Sequence, residues 1–580
     1  MNSTSYTWTD TLGCEYGKQV CADGLHGFRY LKVCLAAYAG DSTYTSGYGE
    51  VAIDGIYLDY QGFFGSPDTY TGWFQCSDAD LTQWWYDGVY TNDLATDIFL
   101  ANDTEPRNAA SPSLIGKLVL HDGAKRDRDP YVGDISVSGL TSFLSHDLAE
   151  RVTNVIGDLA DHQRSDGWIP PASMQVTFTV NRAPGCLFFA RPADLVHSND
   201  YTLALFDYPL HWVKCTYDLV MYTGASDFLN QYYPALVKTL DTFYPSMTNS
   251  ATNLLNKPSS YGDYAFLPRS GQITYYNALY VLVLNQAAEL ADSLSKSDDA
   301  ARWRARASTV AAALLATNWD ASVGAFFDGG PCGSAAMCDT HAQDGNSISI
   351  LAGVTNTSTS ESALGYLATH MAQPYGNAFY DNGVLDGSFN SRVYAFLSYF
   401  EIAARFETSP DTLESAFDEI RRLYGWMATN DPGVTQWEGI GGGGQPYEGG
   451  FTSMAHGWST GIVPLMSNYV LGVTPTGPGF SSWVVKPVMS AGGLTWAQGV
   501  VPTPEGPITV AWERTANVYA LKVSAPAGTR GIVSLALGEA SADSVTVDGR
   551  GVGTSADVEA GYVQLAHDGG THAYTIAVAQ

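Results

Sequence analysis

An α/α toroid set between two β regions is the fold this sequence predicts, and three changes of texture along the chain predict it. Residues 1–70 are rich in Gly, Tyr, Ser and Thr, with short β-like runs broken by glycine. About a dozen helical segments with short connections then occupy roughly 380 residues. After Pro475 helical spacing gives way to strict alternation.

In the first region, Val51-Ala-Ile53 and Ile56-Tyr-Leu58 read as strands of a small or incomplete β-sandwich over 1–72. The helical region follows over 73–472. Within it Ser409-Pro410-Asp411 is a helix start, with a serine N-cap, proline in the first position and an acid in the first turn. Leu413, Phe417, Ile420 and Leu423 follow at helical spacing, and Gly425 is expected to end that helix. Ser297-Asp298-Asp299 opens another helix in the same way. The stretches 200–223, 226–246, 275–295, 297–318, 345–353, 361–372 and 389–407 also read as helical. No fixed repeat period appears, so a closed toroid of hairpins is expected rather than an extended α-solenoid. Over 473–580, Ile508-Thr-Val510-Ala-Trp512, Tyr519-Ala-Leu521-Lys-Val523 and Tyr574-Thr-Ile576-Ala-Val578 alternate. Turns such as Asp548-Gly549 lie between them, which predicts a β-sandwich.

Size and charge narrow the function. A chain of 580 residues is too long for one core. With 59 acidic against 29 basic residues the net charge is −30, a field that repels nucleic acid and anionic membranes and fits solubility in an acidic medium. The eight cysteines include two close pairs, Cys14 with Cys21 and Cys332 with Cys338, and disulfides are expected ahead of metal because no zinc-site spacing occurs. Asn2-Ser-Thr, Asn102-Asp-Thr and Asn356-Thr-Ser are glycosylation sequons. A secreted glycoprotein, with its signal peptide removed from this chain, is the expectation. No metal and no cofactor is called for.

Two segments about three hundred residues apart carry the chemistry. In Asp122-Gly-Ala-Lys-Arg-Asp-Arg-Asp-Pro-Tyr-Val-Gly-Asp134, four carboxylates alternate with three cations. Crowded carboxylates raise one another's pKa and adjacent cations lower it, so one protonated carboxyl beside ionised neighbours can be built here. Alone, such a segment is more often a solvated loop with surface ion pairs. The second segment, Gly433-Val-Thr-Gln-Trp-Glu438, sets a carboxylate beside an indole in a glycine-flexed loop between helices. A third, His456-Gly-Trp-Ser459, precedes the last apolar helix. No Gly-x-Ser-x-Gly elbow, P-loop or zincin pair competes with this acid–base reading.

Taken in order, these three segments resemble the signature of glycoside hydrolase family 78, the α-L-rhamnosidases. Asp207-Tyr-Pro-Leu-His-Trp212 and Ser165-Asp-Gly-Trp-Ile-Pro170 resemble further landmarks of that family. The resemblance runs from about Gly72 to the C-terminus. It implies a mainly α fold, an (α/α)₆ barrel flanked by an N-terminal β region and a C-terminal β-sandwich, and an inverting mechanism. By position it makes Asp127 the general acid and Glu438 the general base. Asp122 and Asp134 would hold rhamnose hydroxyls, His456 and Trp168 would line the sugar subsite, and Arg126 would order the loop. Trp437, Trp458 and Tyr131 complete the expected binding surface. Tyr131 stands where the family usually has Trp, and Asp129, next to Pro130, matches nothing and is expected at the surface. The region before the barrel is shorter than is usual in the family.

The implied activity is exo-hydrolysis of terminal α-L-rhamnose from plant glycosides or polysaccharide side chains. Two other readings keep the toroid. One is a glycosidase or lyase for another sugar, in which Arg128 could neutralise a uronate. The other is an inactive carbohydrate-binding protein.

Overall fold

The computed structural model describes residues 53–55, 69–98, 113–124, 128–173, 203–385, 387, 390–538, 540–553, 557–559 and 561–577. The runs read as strands near Val51 and Ile56 lie largely outside them, as do Cys14, Cys21, Asn2 and Asn102.

Among the described residues, six helical hairpins build the core. Their helices are α1 (Ala79–Leu94), α2 (Val132–Ser145), α3 (Glu150–Asp161), α4 (Tyr208–Thr223), α5 (Ser226–Lys238) and α6 (Thr274–Ser293). They continue with α7 (Ser297–Asn318), α8 (Gln343–Leu351), α9 (Thr357–His370), α10 (Ala395–Thr408), α11 (Leu413–Thr429) and α12 (Ile462–Leu465), which runs on into a π turn at Met466–Val470. Burial separates an inner from an outer ring. Every residue of α2 is buried, and α4, α6 and α10 are nearly so, as expected of helices enclosed on all sides. By contrast α7 buries one stripe, Ala300, Trp303, Ala307, Val310 and Leu314, with Asn318 at its end, and most of the remainder is exposed or half-buried. Even-numbered helices therefore form the inner wall and odd-numbered ones the outer.

Local sequence explains the boundaries. Pro209 opens α4 and Gly224 closes it at φ 70°, a left-handed residue that costs glycine little. Ahead of α11, Thr412 Oγ1 accepts from Ser409 N at 3.3 Å and Pro410 opens the turn, as the Ser-Pro-Asp start implies, although the Ser409 hydroxyl itself makes no cap bond. Gly425, expected to stop this helix, lies inside it. The helix runs on to Thr429, and a Cβ at 425 would stand 3.4 Å from the Trp84 ring of α1. Its small size serves close helix packing instead.

The C-terminal part is a two-sheet sandwich. Its larger sheet orders the strands Trp73–Cys76, Trp496–Val501, Ile508–Arg514, Val518–Ala525, Gly570–Ala577, Val545–Val547 and Arg550–Gly551. The five-stranded sheet orders Val473–Pro475, Ser482–Val485, Arg530–Ala536, Tyr562–His567 and Asp557–Glu559. Trp73–Cys76 thus leaves the start of the helical region to pair antiparallel with Trp496–Val501. The Trp512 indole donates to Val470 O at 2.9 Å, tying the sandwich to the end of the inner ring.

Cys332 and Cys338 form a disulfide, while Cys76 and Cys215 are buried thiols. The Asn356 sequon caps α9, its side chain accepting from Thr359 N at 3.0 Å. No described helix is long and apolar enough to cross a membrane.

Candidate active site

The six inner helices begin at one rim of the barrel, and the loops ahead of α2 and α12 carry the three acidic and aromatic motifs. Residues 453–457 act as a central thread that hydrogen-bonds to both of the others. On one side Ala124 N donates to Ala455 O at 2.9 Å and Gly457 N to Asp122 O at 2.5 Å. On the other, Glu438 N donates to Ser453 O at 2.9 Å and His456 N to Gln436 O at 3.0 Å. Gly457 is small because a Cβ there would sit 3.1 Å from Ser138 Cβ and 3.2 Å from Asp122 O. Segments three hundred residues apart are thereby held in one backbone ladder.

Both oxygens of Glu438 are fixed. Tyr447 OH donates to Oε1 at 2.8 Å, and Ser453 N donates to Oε2 at 2.7 Å. Its own carbonyl accepts from the Trp458 indole at 2.8 Å. Tyr447 is in turn covered by the Arg392 guanidinium, 4.9 Å above its ring. A carboxylate with its rotamer locked at two oxygens is oriented to accept a proton along one direction.

Beside it, His456 Nε2 meets Asp134 Oδ1 at 3.0 Å, and both residues are buried. Burial alone would lower the His456 pKa. The Asp134 hydrogen bond and the charges of Glu438, Asp134 and Asp122 outweigh that and raise it to about 8. Burial, opposed by His456 and reinforced by Glu438, raises the Asp134 pKa. His456 is therefore a cation at neutral pH, set among three carboxylates.

This has a sign that can be measured. The folded pKa of His456 exceeds the ordinary value of 6.5, so the stabilisation it adds is complete below about 6.5 and is lost as pH rises through about 8. In a His456→Asn variant the deficit in Tm against the native chain should be full at pH 6 and shrink above pH 8. Thermal melts of both chains across this range check it, and a deficit independent of pH would remove the charged histidine from the site.

The remaining expected residues divide. Asp122 is buried, its Oδ1 accepting from Asp129 N at 3.1 Å while its N donates to Asp129 O at 3.0 Å. Tyr131 is half-buried at the head of α2, its ring edge-on to Tyr208 at 6.0 Å. Trp458 stacks on Phe396 at 5.3 Å and lies 4.7 Å from the His456 ring. Trp437 is 2% exposed and packs into the core, with Met427 S accepting from its backbone N at 3.1 Å. Trp168 is fully buried. Its indole donates to Leu205 O at 3.1 Å, and Arg164 covers the ring at 3.9 Å, so neither face is presented to a sugar. Asp127 and Arg126 lie outside the described residues.

Asp129, expected at the surface, is instead 1% exposed, because its backbone closes the loop against Asp122 and it accepts from Tyr131 N at 2.9 Å. Arg128 stands at φ 62° and is paired with Asp97 at 2.8 Å.

Sequence reading also missed the polar wall ahead of α4, α6 and α8. Arg269 there binds Asp263 at 3.0 Å, Asp328 at 2.7 Å and Asp344 at 2.5 Å. Asp207 stands beside them, where burial first and the Asp263 charge second push its pKa to about 8. One guanidinium among four buried carboxylates leaves Asp207 protonated at neutral pH. The signal in sequence was the acid or tyrosine found at the starts of α2, α4, α6, α8 and α10.

The bacterial α-L-rhamnosidase six-hairpin glycosidase domain matches residues 117–378, and the bacterial α-L-rhamnosidase C-terminal domain matches 472–549, together more than half of the chain. The chain belongs to the bacterial α-L-rhamnosidase family. The resemblance read from its motifs and the barrel-plus-sandwich architecture are both borne out. Solved rhamnosidase structures share the fold. That of Dictyoglumus thermophilum is 13% identical and superposes with a TM-score of 0.62 over 88% of this chain and 50% of its own. The Streptomyces avermitilis enzyme complexed with L-rhamnose is 18% identical, with a TM-score of 0.60 over 87% and 42%. The Aspergillus terreus enzyme is 16% identical, with a TM-score of 0.56 over 87% and 50%. This rhamnosidase-family chain thus spans about half the length of the solved relatives it matches. No curated protein sequence matches it.

Proposed function

We propose that this chain is an exo-acting α-L-rhamnosidase that removes terminal α-L-rhamnose with inversion of the anomeric centre. The observation that carries the reading is the backbone ladder joining Asp122, Glu438 and His456 at one barrel rim, with Glu438 held at both oxygens. Glu438 takes a proton from water, and the oxygen attacks the anomeric carbon. Asp127, in the position of the family's acid, protonates the departing glycosidic oxygen. Asp122 and Asp134 hold sugar hydroxyls, His456 compensates their charge, and Tyr131 and Trp458 give the subsite its aromatic edge. Arg126 orders the acid's loop. Trp437 acts from behind, keeping Glu438 in a low-polarity wall, and Trp168 braces the turn that carries it.

The substrates would be rhamnosylated plant glycosides or polysaccharide side chains. A disulfide and an excess of acidic residues support a secreted enzyme. A uronate lyase fits less well, because Arg128, its candidate neutraliser, is engaged with Asp97.

Release of p-nitrophenol from p-nitrophenyl α-L-rhamnoside tests the activity. Proton NMR of the first product tests the stereochemistry, and β-L-rhamnose should appear before mutarotation. Inverters hold their carboxyls about 6.5–9.5 Å apart to admit a water, against roughly 5–5.5 Å in retainers. Initial α-L-rhamnose would replace this mechanism with a covalent one, and no release would leave a binding protein.

A further inference from the structure

Inside the barrel, at the end opposite the catalytic rim, lies a cavity of about 540 Å³. The inner helices α2, α4, α6, α8 and α10 line it, with Leu140, Leu282 and Leu351 among their residues, the π turn after α12 adds Asn468 and Tyr469, and the sandwich closes it with Lys486, Tyr519 and Tyr562. Its volume falls within the roughly 300–1,000 Å³ typical of small-molecule sites.

The chemistry of its wall is unusual for a void between domains. Asp207, His211, Lys214 and Asp218 recur at helical spacing on α4, one polar stripe running from below the catalytic rim to this cavity. At its lower end Lys214 Nζ donates to Asp218 Oδ2 at 2.6 Å and to Ser136 O at 2.9 Å. Lys214 and Asp218 are 6% and 8% exposed. A buried ion pair is commonly no more stabilising than apolar residues of the same volume, so packing does not account for it. On the facing side Tyr469 OH donates to Glu407 Oε1 at 2.6 Å, and Lys486 Nζ lies 4.2 Å above the Tyr562 ring.

We propose that this cavity is a second binding site, for a neutral saccharide of one or two rings. Two cations and two carboxylates line it, so the site is charge-compensated and favours an uncharged ligand. Capacity remains on both sides of the hydrogen-bond inventory. Lys214 keeps a third proton and Lys486 its ammonium donors, while Asp218 Oδ1 and Glu407 Oε2 remain to accept. Hydroxyl groups, which donate and accept at once, satisfy such a wall. The Tyr217, Tyr222, Tyr399 and Tyr519 rings supply the apolar faces on which pyranose C–H groups pack. Glu407 and Lys486 are both exposed and mark the entrance.

The test is titration calorimetry of the full chain with cellobiose and with sucrose, neutral probes that carry no rhamnose for the catalytic pocket. At least one should bind. Leu282→Trp, which fills the cavity, should weaken that binding tenfold or more, and Glu407→Gln, which keeps its shape, several-fold. Hydrolysis of the aryl rhamnoside should be unchanged in both. No binding of either probe up to about 10 mM, or equal binding to the native chain and both variants, would overturn the proposal. Should Leu282→Trp fail to fold, the Glu407→Gln titration decides alone. Because binding is read without turnover, failure of the hydrolytic assignment leaves this result interpretable.

Discussion

Replacing Glu438 with glutamine is expected to lower kcat on p-nitrophenyl α-L-rhamnoside about 10²–10⁴-fold, with circular dichroism and Tm close to those of the native chain. The fold should survive because glutamine can keep both local contacts. Its carbonyl oxygen can accept from Ser453 N, 2.7 Å from one carboxylate oxygen, while its NH2 donates to the Tyr447 hydroxyl oxygen, 2.8 Å from the other. Water activation should not survive, since an amide has no lone pair basic enough to take the proton. The loss should fall in kcat rather than KM, because a general base acts in the transition state and contributes little to ground-state binding. Native-like turnover by a folded Glu438→Gln protein would dismiss Glu438 as the base and return the carboxylates around His456 to contention.

The fold was legible in sequence where burial has a period. Helices such as α7 and α11 announce themselves because one face stays wet, and the sandwich strands alternate for the same reason. Two inner helices were read with poor starts: α4 begins at Tyr208 rather than near residue 200, and α10 at Ala395 rather than 389. Enclosed on all sides, they carry little amphipathic signal at their ends. Gly425 misled because glycine marks either a stop or a close approach, and only the Trp84 ring decides between them.

In the site, the acids and aromatics were visible as motifs, whereas their supports were not. Tyr447 and Ser453 fix Glu438 from 9 and 15 residues further along, a separation no local pattern reveals. Trp168 and Trp437 were expected at the sugar subsite from the family resemblance, but both are buried, and their rings pack in the core. Asp129 looked exposed because Asp-Pro usually marks a surface turn, yet here its backbone pins the base of the loop.

That pinned base frames the other large effect. Asp122 and Asp129 hydrogen-bond to each other at 3.0 and 3.1 Å, and Gly457 N donates to Asp122 O, so these two residues, which flank Asp127 in sequence, are held together against the segment that carries His456. Asp127→Asn is therefore expected to lower kcat about 10²–10⁴-fold on a natural rhamnosyl disaccharide, where the leaving oxygen needs a proton. On the p-nitrophenyl rhamnoside the same variant should lose far less, because nitrophenolate departs without protonation. Asp122→Asn and Asp134→Asn should lose rate alike on both substrates, since they would hold the sugar that the two share. Asp134→Asn should also release the His456 pKa from about 8 toward its ordinary value, because its main upward influence is that hydrogen bond. Measuring kcat/KM for all three variants on both substrates separates the roles. An Asp127→Asn loss of equal size on both, with leaving-group dependence at another aspartate, would transfer the acid's role to that residue.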